Sequence, residues 1–401
     1  MRSMTISVCF VVLSVLPSVW LVDAATSIGS RIADIQKNSC TVGLAAWSVA
    51  GNGSLCSYGA AGETIRWSGK KLKVRGDSRH HIGSVTKGMT STLLAILIEN
   101  GVIESWNSTL GELLPHDAPG TAYQDVTLRE LVSHLSGLPR CFSNWQWLLY
   151  RVNPSKDPRV DRKKATQAAL QSEPINIPGT EWSYSNWGYI VAGHIAEEFT
   201  GMTWEGALAT MLFEPLGIQL TFDPILAMTG APNNGKDAWG HAPYLNTPCD
   251  PDFPFYECDY PPVYGPAGLF SGPHAAMARY FAFHLACHRG EHSGLLLSQA
   301  SCQTLHSPGN ASIHPYGYGW TCLENSTGSN DLVCSHGGAN GVNIYLVELH
   351  INSNRAFAAM INQGADVRGV LPETMDAFVE LQGQEDCAAP IPSSVYIDND
   401  H

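Results

Sequence analysis

The most informative stretch of this chain, residues 81–101, reads HIGSVTKGMTSTLLAILIENG. Ser84 and Lys87 stand three residues apart in it, and this spacing places two side chains on the same face of a helix. Apolar residues occur on all sides of the segment 89–98, which predicts a helix buried in the core. A serine hydroxyl needs a neighbouring base to become a strong nucleophile, and an amine can act as that base when burial lowers its pKa. We therefore interpret Ser84 as a candidate nucleophile and Lys87 as its base; the simpler alternative is that Ser84 only caps the helix.

The composition describes an ordinary globular protein. Its 401 residues are 44% hydrophobic and 15% charged, which is enough material for one large domain or two. The formal net charge is −13, and no cluster of lysine or arginine interrupts this acidic balance. Nucleic acid and anionic membrane surfaces are therefore poor partners, and a small-molecule substrate fits better. The sequence does not indicate an oligomeric state.

The N-terminus has the pattern of an export signal. Arg2 precedes an apolar run over residues 6–22, and small or apolar residues precede a possible cleavage point at residue 24. This pattern predicts a secretory signal peptide over residues 1–24, because the run is short for a membrane span and contains Pro17. We therefore expect a secreted, extracellular protein with no membrane association once the signal is removed.

The cysteines support the same compartment. Removal of the signal would also remove Cys9 and leave an even number of cysteines, which in an exported chain predicts disulfide bonds. Other connectivities stay open, but neighbouring cysteines suggest the pairs Cys40–Cys56, Cys249–Cys258, Cys287–Cys302 and Cys322–Cys334, which leaves Cys141 with Cys387.

Four sequons of the form Asn-x-Ser/Thr are candidate glycosylation sites in an exported chain. Their asparagines are Asn52, Asn107, Asn310 and Asn325. Because so short a pattern also arises by chance, the sequons are supporting evidence only.

The order of the patterns along the chain predicts an α/β (α+β) fold. Strand-like segments occur near both chain ends, with a hairpin near the start, whereas helical segments and long loops fill the middle. We therefore expect a mainly antiparallel sheet that is built from both chain ends and flanked by helices. The predicted catalytic domain covers residues 25–388, with a helical and loop insertion over about 90–280. A polar tail over residues 389–401 is expected to lack regular structure.

Two further segments carry candidate chemistry. Tyr184 stands two residues before Asn186 and just ahead of a predicted helix, and a phenol beside a lysine ammonium loses its proton more easily. His336 is followed by two glycines, which let a ligand approach the backbone closely. The next N–H can then donate a hydrogen bond to an oxyanion. These third-segment candidates are His336, Gly337, Gly338 and Ala339.

Taken in order, Ser84-x-x-Lys87, Tyr184-x-Asn186 and His336-x-Gly338 resemble the three motifs of the serine β-lactamase and penicillin-binding-protein superfamily. The resemblance is to its class C β-lactamase-related branch, a group of S12-like, esterase-type serine hydrolases. Longer flanks make the match specific, namely LVSHLSGLP at 131–139, EWSYSNWGY at 181–189, PAGLFS at 266–271 and YGYGW at 316–320. It extends over roughly residues 30–380, and several independent segments in the right order make coincidence improbable.

The resemblance implies a β-lactamase/transpeptidase-like fold, in which an α/β domain and a helical domain enclose the site. Ser84 would form an acyl-enzyme, and Lys87 and Tyr184 would share the role of general base. Asn186 would hold the acyl or amide part of the substrate. The backbone N–H groups of Ser84 and Ala339 would form the oxyanion hole. No metal and no cofactor is implied.

This sequence departs from the β-lactamases at one position. Their third motif usually begins with a lysine that holds a substrate carboxylate, and His336 stands there instead. Because histidine with an ordinary pKa is mostly neutral at pH 7, a carboxylate is less strongly selected. We therefore expect a secreted, esterase-like serine hydrolase acting on a small ester, lactone or amide. The alternatives are an acyltransferase, D-amino-acid peptidase or β-lactamase that uses the same acyl-enzyme, and a non-catalytic scaffold or binding protein with an unreactive Ser84.

Overall fold

The computed structural model describes the ranges 19–68, 72–76, 78–220, 237–243, 245–249, 258–291, 296–324, 330–366 and 368–381, together with residues 387, 389–390 and 395–397. Residues 1–18 of the predicted signal peptide and the candidate glycan acceptor Asn325 lie outside this part of the chain. The first described element is helix α1 (Val19–Ser39), which continues past the predicted cleavage point. None of the described helices has the length and hydropathy needed to cross a membrane.

The strands of the described residues are β1 (Gly43–Ala50), β2 (Ser54–Gly62), β3 (Arg79–His81), β4 (Ile218–Leu220), β5 (Ser271–Pro273), β6 (Pro308–Asn310), β7 (His314–Gly317), β8 (Thr321–Glu324), β9 (Leu332–Ala339), β10 (Ile344–His350), β11 (Arg355–Ile361), β12 (Ala389–Pro390) and β13 (Val395–Ile397). Nine of them form a sheet in the order β12-β2-β1-β11-β10-β9-β8-β7-β6. Every neighbouring pair in it is antiparallel. The predicted antiparallel sheet, built from both chain ends, is therefore confirmed.

Helices fill the chain between strands β2 and β6. They are α2 (Thr86–Glu99), α3 (Leu110–Leu113), α4 (Leu128–Val132), α5 (Asn144–Val152), α6 (Pro158–Leu170), α7 (Asn186–Thr200), α8 (Trp204–Leu208), α9 (Gly265–Gly268), α10 (His274–His288) and α11 (Gln299–Leu305). Helix α12 (Val370–Leu381) follows the last long strand. Helix α2 is buried from Thr86 to Leu97, as its apolar residues on all sides predict.

Helices cover both faces of the sheet, so strand β1 is buried along its whole length. Successive residues of a strand point to opposite faces. Leu44 and Ala46 therefore pack in one cluster with helices α1 and α12, while Trp47 points into the larger cluster that contains α2 and α10. There the Trp47 ring stacks on Phe281, with 5.8 Å between the ring centroids. This packing places helix α2 deep inside the molecule and the turn Gly83–Val85 that precedes it against strand β9.

Three of the five predicted disulfides are confirmed, namely Cys249–Cys258, Cys287–Cys302 and Cys322–Cys334. The other two predictions are wrong, because Cys56 bonds to Cys387 while Cys40 and Cys141 are free and exposed. Cys40 lies where β1 begins, whereas the hairpin register places Cys56 near the opposite end of β1, roughly 20 Å along the strand. The cysteine near the C-terminus reaches Cys56 because strand β12 pairs with β2 at Leu55.

The tail over residues 389–401 was expected to lack regular structure, and that expectation is wrong for two short segments. Strand β12 extends the central sheet beside β2. Strand β13 pairs in parallel with β4, aligning Val395 with Ile218. The bond between Cys387 and Cys56 holds the start of this segment against the sheet. The polar composition of the segment does not predict this bond.

Three of the four candidate glycan acceptors, Asn52, Asn107 and Asn310, are described and exposed. Each lies in a turn or at the end of a short element on the surface, so an enzyme could reach it. Glycosylation at these positions stays a prediction.

Candidate active site

Ser84 lies in a single 3₁₀ turn, Gly83–Val85, that leads directly into helix α2. Gly83 has a φ of +53°, a backbone conformation that residues with a side chain rarely adopt. Strand β9 passes so close that a Cβ on Gly83 would touch its backbone, and a Cβ on Gly338 would overlap the Ile82 carbonyl oxygen. The two glycines therefore allow the end of strand β9 to lie directly against the turn that carries Ser84.

The Lys87 side chain is completely buried beneath Ser84. Its Nζ is 3.0 Å from Ser84 Oγ and 2.8 Å from Asn186 Oδ1. It also donates to the carbonyl oxygen of Ala267 at 2.5 Å. A neutral amine has two N–H donors and one lone pair. It can therefore donate to Asn186 and Ala267 while its lone pair accepts the proton of the Ser84 hydroxyl.

The surroundings of Lys87 favour that neutral form. Burial lowers the pKa of Lys87 well below its ordinary value, and the positive charge of Arg140 lowers it further. Within the described part of the chain, no carboxylate pairs with Lys87 to oppose these effects. Lys87 therefore has the properties of a general base for Ser84.

Tyr184 covers Lys87 from the other side. The Lys87 Nζ lies 4.8 Å from the centroid of the Tyr184 ring. Burial raises the pKa of Tyr184 to about 12, although the neighbouring Ser84 side chain and the charge of Arg140 act in the opposite direction. Tyr184 is thus a neutral phenol at pH 7, able to pass a proton but poorly suited to remove one.

The loop before helix α5 holds Tyr184 and Asn186 in place. Ser185 caps helix α7, since its side chain accepts a hydrogen bond from the Gly188 N–H. The Ser185 N–H donates to Nδ1 of the buried His134 at 3.1 Å, and the Asn186 N–H donates to the carbonyl oxygen of Arg140 at 2.8 Å. These bonds explain why the histidine-containing segment 131–139 accompanies the tyrosine segment in the sequence.

His336 closes the site on the strand side. Its Nδ1 donates to the Gly337 carbonyl oxygen at 2.7 Å, and its Nε2 accepts from the Tyr316 hydroxyl at 3.1 Å. These contacts assign the tautomer with the proton on Nδ1. Burial lowers the pKa of His336 to about 3, with a smaller effect from the charge of Lys87. The imidazole is therefore neutral at pH 7.

Beside Ser84, the described residues enclose a cavity of about 780 Å³. Lys87 lies beneath its floor, and all the other candidate site residues line it, namely Ser84, Tyr184, Asn186, His336, Gly337, Gly338 and Ala339. The structure therefore brings the three sequence motifs together around one space.

The matching family model is named "Beta-lactamase" and covers residues 33–376. The chain belongs to the beta-lactamase family.

Curated relatives of this beta-lactamase-family chain are distant. Penicillin-binding protein 4* of Bacillus subtilis (strain 168) is 25% identical over 313 residues, which cover 74% of this chain and 63% of that protein. The lovastatin esterase of Penicillium rubens is 28% identical over 179 residues, which cover 40% of this chain and 43% of that protein. The chain thus spans less than two thirds of the length of these relatives.

Solved structures of the same fold extend over most of the chain. A class C beta-lactamase from Rhodobacter sphaeroides superposes with a TM-score of 0.67 at 18% identity, covering 90% of this chain and 99% of that one. A D-amino acid amidase from Ochrobactrum anthropi SV3 has a TM-score of 0.67 at 19% identity, covering 89% of this chain and 98% of that one. These similarities establish the beta-lactamase/penicillin-binding-protein fold.

The sequence argument missed several residues that line the cavity of this beta-lactamase-family protein. Arg140 is the most consequential, because its exposed guanidinium brings a positive charge into a space that the neutral His336 had suggested was uncharged. Arg140 directly follows the segment 131–139, so its position next to a recognised motif could have identified it as a candidate cavity residue. The other lining residues to which the sequence argument gave no role are Ser183, Tyr260, Tyr264, Ala267, Gly268 and Ile344.

Proposed function

We propose that this protein is a secreted serine hydrolase that cleaves a small ester, lactone or amide through an acyl-enzyme on Ser84. The observation that carries the proposal is the environment of Lys87, a buried amine 3.0 Å from Ser84 Oγ whose other hydrogen bonds go to Asn186 and Ala267. Two similar proteins are named as a lovastatin esterase and a D-amino acid amidase, which supports an ester or an amide as the substrate. Four disulfides support export.

In the first half of the proposed reaction, Ser84 Oγ attacks the substrate carbonyl carbon as its proton passes to Lys87 Nζ. The negative charge on the carbonyl oxygen is held by the N–H groups of Ser84 and Ala339, each such donor being typically worth about 3 kcal/mol. The bond to the leaving group then breaks. The leaving group takes a proton from the Tyr184 hydroxyl, which Lys87 re-protonates, so an acyl-Ser84 and a neutral Lys87 remain.

In the second half, water attacks the acyl carbon and gives its proton to the same base. Collapse of this intermediate releases the acid and returns the proton to Ser84 Oγ. The opposite pKa shifts of Lys87 and Tyr184 support this division of labour, with Lys87 as the base and Tyr184 as the path to the leaving group.

The test is covalent labelling of the purified, folded protein with a fluorophosphonate, followed by mapping of the adduct by peptide mass spectrometry. We expect the adduct on Ser84 in the wild-type chain and none in Ser84→Ala. The near-isosteric Lys87→Met variant should label about 10²- to 10⁴-fold more slowly, because it lacks the base. Tyr184→Phe should label at a rate closer to wild type, since this reagent does not require a protonated leaving group.

Lys163→Met is the matched control, because this lysine is exposed on helix α6 and does not line the cavity beside Ser84. Its labelling rate should equal that of the wild type. A folded wild-type protein that gives no Ser84 adduct would contradict the proposal and favour a non-catalytic scaffold.

A further inference from the structure

Arg140 has a defined position in the cavity beside Ser84. Its main-chain oxygen accepts the hydrogen bond from the Asn186 N–H, which ties residue 140 to the start of helix α7. Its guanidinium carbon lies 5.6 Å from the centroid of the Tyr184 ring. Arg140 therefore lies on the side of the cavity formed by Tyr184 and Asn186.

The charge of Arg140 is not neutralised by the described residues. Arg159 pairs with Asp157, and the buried Arg162 pairs with two glutamates. Among the described side chains, by contrast, no acidic group lies within ion-pair distance of Arg140. An exposed arginine that faces a cavity presents a planar fork of N–H donors, which matches the two oxygens of a carboxylate.

We infer that Arg140 binds a carboxylate on the acyl part of the substrate. This inference rests on the proposed function and narrows its substrate class to esters, lactones or amides of acids that carry a second, anionic group. The positive charge of Arg140 lies on the side of the cavity near Asn186, whereas His336 at the start of the third motif is neutral. Because the Arg140 main chain is hydrogen-bonded to Asn186, which would hold the acyl part, we expect the carboxylate on that part of the substrate.

The aromatic residues of the cavity suit the part of the acyl chain between the two groups. Tyr260 and Tyr264 stack on each other with 4.9 Å between their ring centroids, and Tyr264 also contacts Phe142 two positions after Arg140. Trp182 lies 6.4 Å from the Tyr184 ring. A short hydrocarbon chain can pack against these rings while one end reaches Ser84 and the other reaches Arg140.

The experiment compares two substrates that differ only at the end of the acyl chain, the mono-4-nitrophenyl ester of adipic acid and its terminal carboxamide. A charge-assisted pair should make kcat/KM about 10- to 100-fold higher for the carboxylate in the wild type. In Arg140→Gln the ratio should fall to about one, and in Arg140→Lys it should lie between these values. Using the ratio cancels any effect of the substitution on Ser84 reactivity itself.

Two controls locate the effect. The hexanoate ester of 4-hydroxy-3-nitrobenzoate carries its carboxylate on the leaving group, and its cleavage relative to 4-nitrophenyl hexanoate should not depend on Arg140. Lys163→Gln removes one positive charge from the surface of helix α6 and should leave the carboxylate-to-carboxamide ratio at its wild-type value.

The outcomes separate this inference from the proposed function. A wild-type enzyme whose Ser84 reacts with the fluorophosphonate but that shows no preference for the acyl carboxylate would overturn the role of Arg140 alone. The same holds if the preference persists in Arg140→Gln. Failure of Ser84 to react in the folded protein would overturn both.

Discussion

Among single residues, Lys87 is completely buried, and no carboxylate pairs with it in the described part of the chain. A lysine buried without a carboxylate partner destabilises the folded state, because its charged form has lost its hydration. The same burial makes the amine neutral and places its lone pair next to Ser84. If Lys87 is the base that we propose, the chain gives up stability at this position in exchange for reactivity.

The cost of Lys87 predicts a pH-dependent change in stability. Lys87→Met should raise the free energy of unfolding near neutral pH, by about 0.5–2 kcal/mol, although it removes the base. The pKa of Lys87 is lowered from 10.5 in the folded chain, so the unfolded chain binds the additional proton as the pH falls below that value. The wild type therefore loses stability toward lower pH, down to the pKa of the folded state, and the advantage of the variant grows accordingly.

Urea unfolding of the wild type, Lys87→Met and the exposed control Lys163→Met at about pH 6 and pH 9 measures this difference. An advantage of Lys87→Met that is the same at both pH values would contradict the assigned shift.

Among the elements, strand β9 and the Ser84 turn approach each other too closely for a side chain at Gly338. Gly338→Ala should destabilise the protein by about 1–3 kcal/mol and reduce Ser84 labelling, because the new methyl group would overlap the Ile82 carbonyl oxygen. Gly337 is the control within the same motif, since a Cβ there would meet nothing within 4 Å. Thermal or urea unfolding should show Gly337→Ala within about 0.5 kcal/mol of the wild type. Equal losses in the two variants would show that the close approach is not what the third motif requires.

The helical register of Ser84 and Lys87 could be predicted from the sequence because it is local. Their shared face follows from three-residue spacing alone, and the all-round burial of α2 follows from its apolar residues. The proximity of Ser84 to Gly338 is different, since about 250 residues separate them and tertiary packing of the Ser84 turn against strand β9 brings them together. Resemblance to the superfamily supplied that link. It did not supply Arg140, whose position depends on the hydrogen bond between its main-chain oxygen and the Asn186 N–H.

For the whole molecule, the bond between Cys56 and Cys387 has the widest span. It joins residues 331 positions apart and connects the C-terminal segment to strand β2. The double variant Cys56→Ser/Cys387→Ser should lose about 2–5 kcal/mol of unfolding free energy, because the unfolded chain gains freedom. Cys40→Ser, which changes a free, exposed cysteine, should leave urea unfolding unaltered. A double variant as stable as the wild type would contradict this role.

The disulfides also show which pairings the sequence can predict and which it cannot. The three confirmed pairs are separated by 9, 15 and 12 residues, so proximity along the chain was a sufficient guide. Cys40 and Cys56 are equally close in sequence, yet the β1–β2 hairpin holds them at opposite ends. The sheet itself was predictable from strand-like segments at both chain ends, but the return of residue 387 to the outer side of β2 was not.

Strand β2 is long, and only its inner neighbour β1 pairs with most of its length. Strand β12 pairs with Leu55 and Ser54 on the outer side, next to the bond from Cys56 to Cys387. An uncovered outer strand offers its backbone N–H and C=O groups to the same strand of another molecule and so promotes aggregation. The C-terminal segment thus blocks edge-to-edge association with another copy of the chain at Ser54 and Leu55, and reduction of the Cys56–Cys387 bond should weaken this protection.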